Sequence, residues 1–224
     1  MSRERGVLFD MDGVLVDSGP LHKESWRRIA MDAGRPMEDS FFDRTFGMRN
    51  EEILEELLGP DLEGARKAEL GRRKEEVYRE LARERLVAAP GAADLVRALK
   101  EAGFRTALAS SGPRANVELV LDVTGLGEMM DAYVCAEDVE RGKPDPQVFL
   151  EAARRLDLEP SRCVVVEDAL VGVEAARRAG MKVVGVAGEE ERKAVLREAD
   201  RVVSSLEELS PRVFEELLEV PWET

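Results

Sequence analysis

The sequence predicts an α/β protein: a doubly wound parallel sheet with a helical unit inserted after its first strand. Three observations carry that expectation. Short β-rich runs recur along the chain, as VLFD (7–10), TALAS (106–110), AYVCA (132–136), VVVED (164–168), VVGVA (183–187) and RVV (201–203). From residue 90 onward helical patterns separate these runs, and near-continuous apolar strands alternating with helices make a parallel sheet covered on both faces. Between the first run and Pro90 lie about seventy residues without a strand pattern, far more than the dozen or so that a parallel crossover needs.

Taken in order, the first run is apolar and ends in two aspartates one residue apart, Asp10 and Asp12. Carboxylates are seldom buried without a partner, and two in close company repel unless a cation or shared proton intervenes. The long interval that follows carries amphipathic helical patterns, HKESWRRIAMDAG, NEEILEELLG and ARKAELGRRKEEVYRELARERL. It reads as an inserted helical domain over 17–88, leaving 1–16 and 89–224 as a Rossmann-like core. Within that core, PGAADLVRALKEAG places Leu95, Leu99 and Ala102 at helical spacing and stops at Gly103 as C-cap. ANVELVLDVTG follows the second run and PQVFLEAARRLDL precedes the fourth. ALVGVEAARRAG follows the fourth and stops at Gly180.

Composition narrows the partners. The 224 residues carry 33 Lys and Arg against 47 Asp and Glu, a formal net charge of −14, with 44% hydrophobic residues. A surface this acidic repels nucleic-acid backbones and anionic lipid, and no apolar run reaches the ~20 residues that span a bilayer. The expectation is a soluble cytoplasmic protein with no nucleic-acid or membrane partner, a monomer or weak homodimer. Cys135 and Cys163 both lie in apolar runs, outside any CxxC pair, and the chain has one histidine. A Cys/His zinc site is thereby excluded, and two reduced core thiols are expected.

The chemistry collects at strand ends, where doubly wound sheets bind ligands. Strand one ends in Asp10 and Asp12, strand two in Ser110 and Ser111, and strand four in Glu167 and Asp168; the ERGKPDP loop after strand three holds Lys143. Carboxylates converging on one place call for a hard cation, and an all-oxygen set suits Mg²⁺ with a substrate phosphate. Lys143 supplies positive charge, and Ser110 with nearby N–H groups can hold phosphate oxygens. One carboxylate can attack phosphorus to give an aspartyl-phosphate, while a second passes a proton to the leaving oxygen. Other motifs fail: an EF-hand loop is broken by Val14 and Leu15, GKPDP is not a Walker loop, and GLGEMM (125–130) lacks the third glycine of a dinucleotide fingerprint.

DMDGVLVDS, the ASS at 109–111, GKPDP and VVVEDALVGVEAARRAG together resemble, in order and spacing, the four motifs of the haloacid dehalogenase superfamily, from residue 7 to about 181. The insertion resembles the helical cap of the subgroup containing β-phosphoglucomutase and many small-metabolite phosphatases. The resemblance implies that Asp10 is the nucleophile and Asp12 the general acid/base. It puts Mg²⁺ on Asp10, the Asp12 backbone carbonyl, Glu167 and Asp168, and the transferring phosphate on Ser110, Ser111 and Lys143. The superfamily's usual strand order also sets two strands between those carrying Cys135 and Cys163. Because Asp12 is present, phosphate esters are implied rather than dehalogenation or phosphonate cleavage.

Substrate choice falls to the cap, with Asp17–Ser18 and Ala88–Ala89 as hinge candidates. Cap residues resembling substrate contacts are His22, Gly47, Arg49, Asn50 and Lys74. A mutase must grip a second phosphate, usually with an arginine; gapless matching puts Asn50 at that point and Arg49 one position early. The expectation is a Mg²⁺-dependent phosphatase of a small phosphorylated metabolite such as a sugar phosphate. A β-phosphoglucomutase-type phosphohexomutase is the alternative, and a non-catalytic phosphometabolite-binding regulator the remote one.

Overall fold

The structure, a computed structural model, describes residues 4–45, 48–188 and 190–219. Its elements run β1 (Arg5–Phe9), α1 (Gly19–Asp32), α2 (Asp39–Thr45), α3 (Asn50–Leu58), α4 (Gly64–Arg85), α5 (Ala92–Glu101), β2 (Phe104–Ala109), α6 (Arg114–Thr124), β3 (Ala132–Val134) and α7 (Gln147–Arg155). Then follow β4 (Cys163–Glu167), α8 (Leu170–Arg178), β5 (Lys182–Val186), α9 (Glu190–Val195), β6 (Arg201–Val203) and α10 (Pro211–Glu219). All six strands pair in parallel, in the order β3-β2-β1-β4-β5-β6. The chain steps outward from β1 to β3, returns to β4 beside β1, and steps outward again. That reversal is the switch point of a doubly wound sheet. Every residue of β4 and β5 is buried, and the apolar runs at 163–166 and 183–186 are what strands covered on both faces require.

The chain divides into two compact units, 1–17 with 87–224, and 18–86. The second boundary falls two residues before the expected one. Ala88 and Ala89 belong to the first unit, because Val16 bridges Ala88 and the Ala89 N–H donates to the Leu15 carbonyl at 2.8 Å. The second unit, α1 to α4, builds its own apolar centre from Trp26, Ile29, Phe41, Phe42, Ile53, Leu54 and Leu70.

Two local expectations need correction. The C-caps of α5 and α8 are Ala102 and Ala179. Gly103 and Gly180 follow them with φ of 81° and 75°, the left-handed turn that an L side chain resists. Ala102 is also exposed, so the buried face of α5 is Ala92, Leu95, Val96 and Leu99. No described helix is long and apolar enough to cross a membrane.

Candidate active site

Strand pairing assembles the core of the site. Phe9 of β1 stands level with Leu108 of β2 and Val166 of β4, so Asp10, Ser110 and Glu167 emerge from three adjacent strands at their carboxyl ends. The Asp10 N–H donates to the Val166 carbonyl at 2.9 Å, and the Ser110 N–H to the Val134 carbonyl at 3.0 Å, which extends the ladders one residue past the strands. Asp10, Ser110 and Glu167 are buried. The Ser110 hydroxyl accepts from the Gly112 N–H at 2.9 Å, leaving its own proton to donate toward a ligand. Ser111 is exposed and Asp12 half-buried. After Asp10 the chain turns back at once, with the Gly13 N–H donating to Val16 O at 2.8 Å and the Leu15 N–H to Met11 O at 3.0 Å.

Lys143 joins this group from the loop before α7. Its Nζ donates to Asp10 Oδ1 at 2.5 Å and to Glu167 Oε1 at 2.9 Å, and its side chain is 7% exposed. Burial alone would lower the Lys143 pKa, but the charges of Asp10 and Glu167 outweigh it and hold the ammonium above its ordinary range. Asp10 moves the other way for a carboxyl: burial pushes it up to about 7, Lys143 pulls against that, and the charges of Glu167 and Asp12 add to it. Glu167 is likewise raised, first by burial, against Lys143 and with Asp168. Its Oε2 accepts from the Asp168 N–H at 2.6 Å.

Ligand atoms of Asp10, Glu167 and Asp168 lie within 4.8 Å of one another. One ammonium faces three carboxylates there, and two of the three are driven toward their neutral forms. The donors are all carboxylate oxygens, the chemistry of a hard divalent cation. The residues fit Mg²⁺.

In the second unit, four of the expected cap residues are described and Gly47 lies outside the described residues. Lys74 on α4 is buried, its side chain 4% exposed, with Nζ 2.9 Å from both His22 Nδ1 and Glu75 Oε1. An ammonium only donates, so Nδ1 accepts and the imidazole proton sits on Nε2. The His22 ring stacks on Tyr78 at 3.9 Å between centroids. Asn50, first residue of α3, donates from Nδ2 to Glu75 Oε1 at 2.8 Å. The unit thus brings His22, Asn50 and Lys74 together and leaves Arg49 apart. Arg49 is exposed, the N-cap of α3, where its N–H donates to Glu52 Oε2 at 3.1 Å.

Sequence reasoning missed Glu75 and Gln147. Glu75 stood among the charges of RRKEEVYRE, with nothing local to mark it as the acid that accepts from both Lys74 and Asn50. Gln147 Oε1 accepts from the N–H groups of Glu140 and Arg141, both at 3.0 Å, and so ties down the loop that carries Lys143. The Pro-Gln step that opens α7 was its one signal.

A doubly wound parallel sheet that gathers acids, a hydroxyl and a lysine at its switch point is a Rossmann-like α/β fold with a site whose chemistry suits a phosphoryl group. A family model described as haloacid dehalogenase-like hydrolase matches residues 4–180, and the chain belongs to that family. It is 33% identical over 207 residues to the chloroplastic 5-amino-6-(5-phospho-D-ribitylamino)uracil phosphatase of Arabidopsis thaliana, covering 92% of this chain but 55% of that longer protein. It is 35% identical over 191 residues to the β-phosphoglucomutase of Bacillus subtilis, covering 81% and 83% of the two chains. Among solved structures it resembles CbbY of Rhodobacter sphaeroides in complex with xylulose-1,5-bisphosphate, at 28% identity and a TM-score of 0.82 over 93% of this chain and 96% of that one.

Proposed function

We propose that the protein is a Mg²⁺-dependent phosphatase of small phosphorylated metabolites such as sugar phosphates, working through an aspartyl-phosphate on Asp10. The observation that carries the reading is the Asp10 carboxylate, buried at the end of β1 and held by Lys143 Nζ at 2.5 Å. Asp10, Glu167 and Asp168, with the Asp12 carbonyl, would hold Mg²⁺, which when bound supplies positive charge that offsets the acids and the phosphate dianion. A carboxylate oxygen of Asp10 attacks phosphorus, and the ester P–O bond breaks. Asp12 gives a proton to the departing alkoxide. Water then attacks the same phosphorus, Asp12 takes its proton, and the P–O bond to Asp10 breaks to release inorganic phosphate. Ser110, Ser111 and Lys143 hold the phosphate oxygens throughout.

The leaving group is read by the helical unit, through His22, Gly47, Arg49, Asn50 and Lys74. Its described cluster is electrically balanced, because Glu75 neutralises Lys74 and takes the Asn50 amide as well. Such a cluster suits neutral hydroxyls better than a second phosphate, which supports hydrolysis over isomerisation. A cytoplasmic monomer or weak homodimer is in keeping with the acidic chain and its buried thiols. The second reading, a phosphohexomutase, is favoured by the 35% identity to β-phosphoglucomutase.

The test is the fate of β-glucose 1-phosphate. We expect free glucose and phosphate to form at least as fast as glucose 6-phosphate, and Asn50→Arg to shift the ratio toward the isomer. Clean conversion to glucose 6-phosphate would establish the mutase. No release from p-nitrophenyl phosphate with or without Mg²⁺ would leave only a binding protein.

A further inference from the structure

Gly172 is the third residue of α8. It does not lie in the left-handed region, and a helix at such a position favours alanine over glycine. Backbone freedom therefore does not explain it. What excludes a side chain is one carboxylate: an ideal Cβ on Gly172 would lie 1.4 Å from Glu167 Oε1, 2.1 Å from its Cδ and 2.4 Å from its Cγ. Glu167 has no slack to retreat. Its Oε1 accepts from Lys143 Nζ at 2.9 Å while its Oε2 accepts from the Asp168 N–H at 2.6 Å, so a shift that clears a methyl breaks one contact or the other. Gly13 closes the neighbouring acid in the same manner, with an ideal Cβ 2.2 Å from Asp168 Oδ2, but its φ of 81° already calls for glycine. Only at Gly172 is the carboxylate the whole reason.

We propose that Gly172 is a positioning residue: the space left by its missing side chain seats the Glu167 carboxylate, and that seat sets the aim of both Glu167 and the Lys143 ammonium. The inference rests on reading Asp10, Glu167 and Asp168 as the cation-holding group. A cycle of four proteins tests it: the unaltered chain, Gly172→Ala, Glu167→Ala and the double variant. Each is melted without metal and across a Mg²⁺ titration, and assayed with p-nitrophenyl phosphate. Gly172→Ala alone should weaken the Mg²⁺ half-saturation of the melting shift by about 10–100-fold, the usual effect of losing a ligand's support. In the Glu167→Ala background, where Cγ, Cδ and Oε1 that the new methyl would strike are all gone, the same change should alter half-saturation by less than about twofold. If Gly172→Ala does not fold while the double variant does, the seat is equally established. Equal loss of metal-free stability in both backgrounds with unchanged half-saturation, or failure of both to fold, overturns it. If the unaltered protein neither melts higher with Mg²⁺ nor needs it for turnover, the metal reading fails, whereas the coupling measured in metal-free melts still decides the seat.

Discussion

At the residue scale, the site holds ionised Asp10 at a disadvantage. Burial, opposed by Lys143 and reinforced by Glu167 and Asp12, takes its carboxyl from 3.8 to about 7. Through that interval the folded, metal-free protein keeps a proton that the unfolded chain has released. The native state then binds more protons, so stability falls as pH rises. The contribution is fully present below the unfolded pKa and gone above the folded one. Glu167 shifts in the same direction. The melting temperature in EDTA should therefore decline between about pH 4 and 7. Asp10→Asn should flatten that decline, melt above the unaltered protein at alkaline pH in EDTA, and abolish turnover, while Mg²⁺ should restore the unaltered protein. An equally steep decline in Asp10→Asn would assign the proton elsewhere. The strand-end residues were legible in the sequence because each follows an apolar run whose direction fixes where its end points. Glu75 and Gly172 were not, because their meaning lies in a partner (Asn50 for one, Glu167 for the other) that local pattern does not name.

Among the elements, the loop from β3 to α7 matters most, since it delivers the one lysine seen among the three acids. Gln147 fastens it by accepting from Glu140 and Arg141 at 3.0 Å each, Asp145 Oδ1 accepts from the Gln147 N–H at 3.1 Å, and Arg178 donates to Pro144 O at 3.2 Å. Gln147→Leu should destabilise by about 1 kcal/mol, the net value of such bonds. The larger effect should be on kcat/KM for p-nitrophenyl phosphate, lowered about tenfold by a looser Lys143. Gln147→Glu keeps an oxygen that can accept from both N–H groups and puts a negative charge at a helix N-terminus, where it is favoured, so it should retain activity and stability; denaturant melts and steady-state rates check both. Loss of activity in Gln147→Glu equal to that in Gln147→Leu would deny the fastening role. The helices beside the strands were legible from apolar spacing such as Leu95 and Leu99. The short α2 was not, since DSFFDRT spans about two turns and gives no periodicity. PRVFEELLE of α10 has the apolar spacing of a packed helix, with Val213 and Phe214 buried and Phe214 edge-on to Phe104 at 6.3 Å.

For the chain as a whole, alternation of strand and helix announces a parallel sheet without giving its order; the order expected here came from the resemblance, and the pairing β3-β2-β1-β4-β5-β6 agrees with it. That order has a consequence far from the active site. Cys135 follows β3 and Cys163 opens β4, with β2 and β1 between them. Three strand steps of about 4.8 Å separate the two strands by roughly 14 Å, and with all strands parallel the two cysteines also sit at opposite ends of the sheet. A disulfide needs Cα atoms within about 7 Å. Both thiols are buried, and burial pushes each up to about 12, with Asp138 adding to the effect at Cys135. At neutral pH neither therefore presents the thiolate that alkylating reagents require. The native protein should label slowly or not at all with iodoacetamide, and after denaturation without reductant two free thiols should titrate per chain. Rapid labelling of the native protein would contradict the burial of both strands' ends. An intramolecular Cys135–Cys163 bridge found by mass spectrometry would contradict the strand order itself, which sets β2 and β1 between the strands that carry the two cysteines.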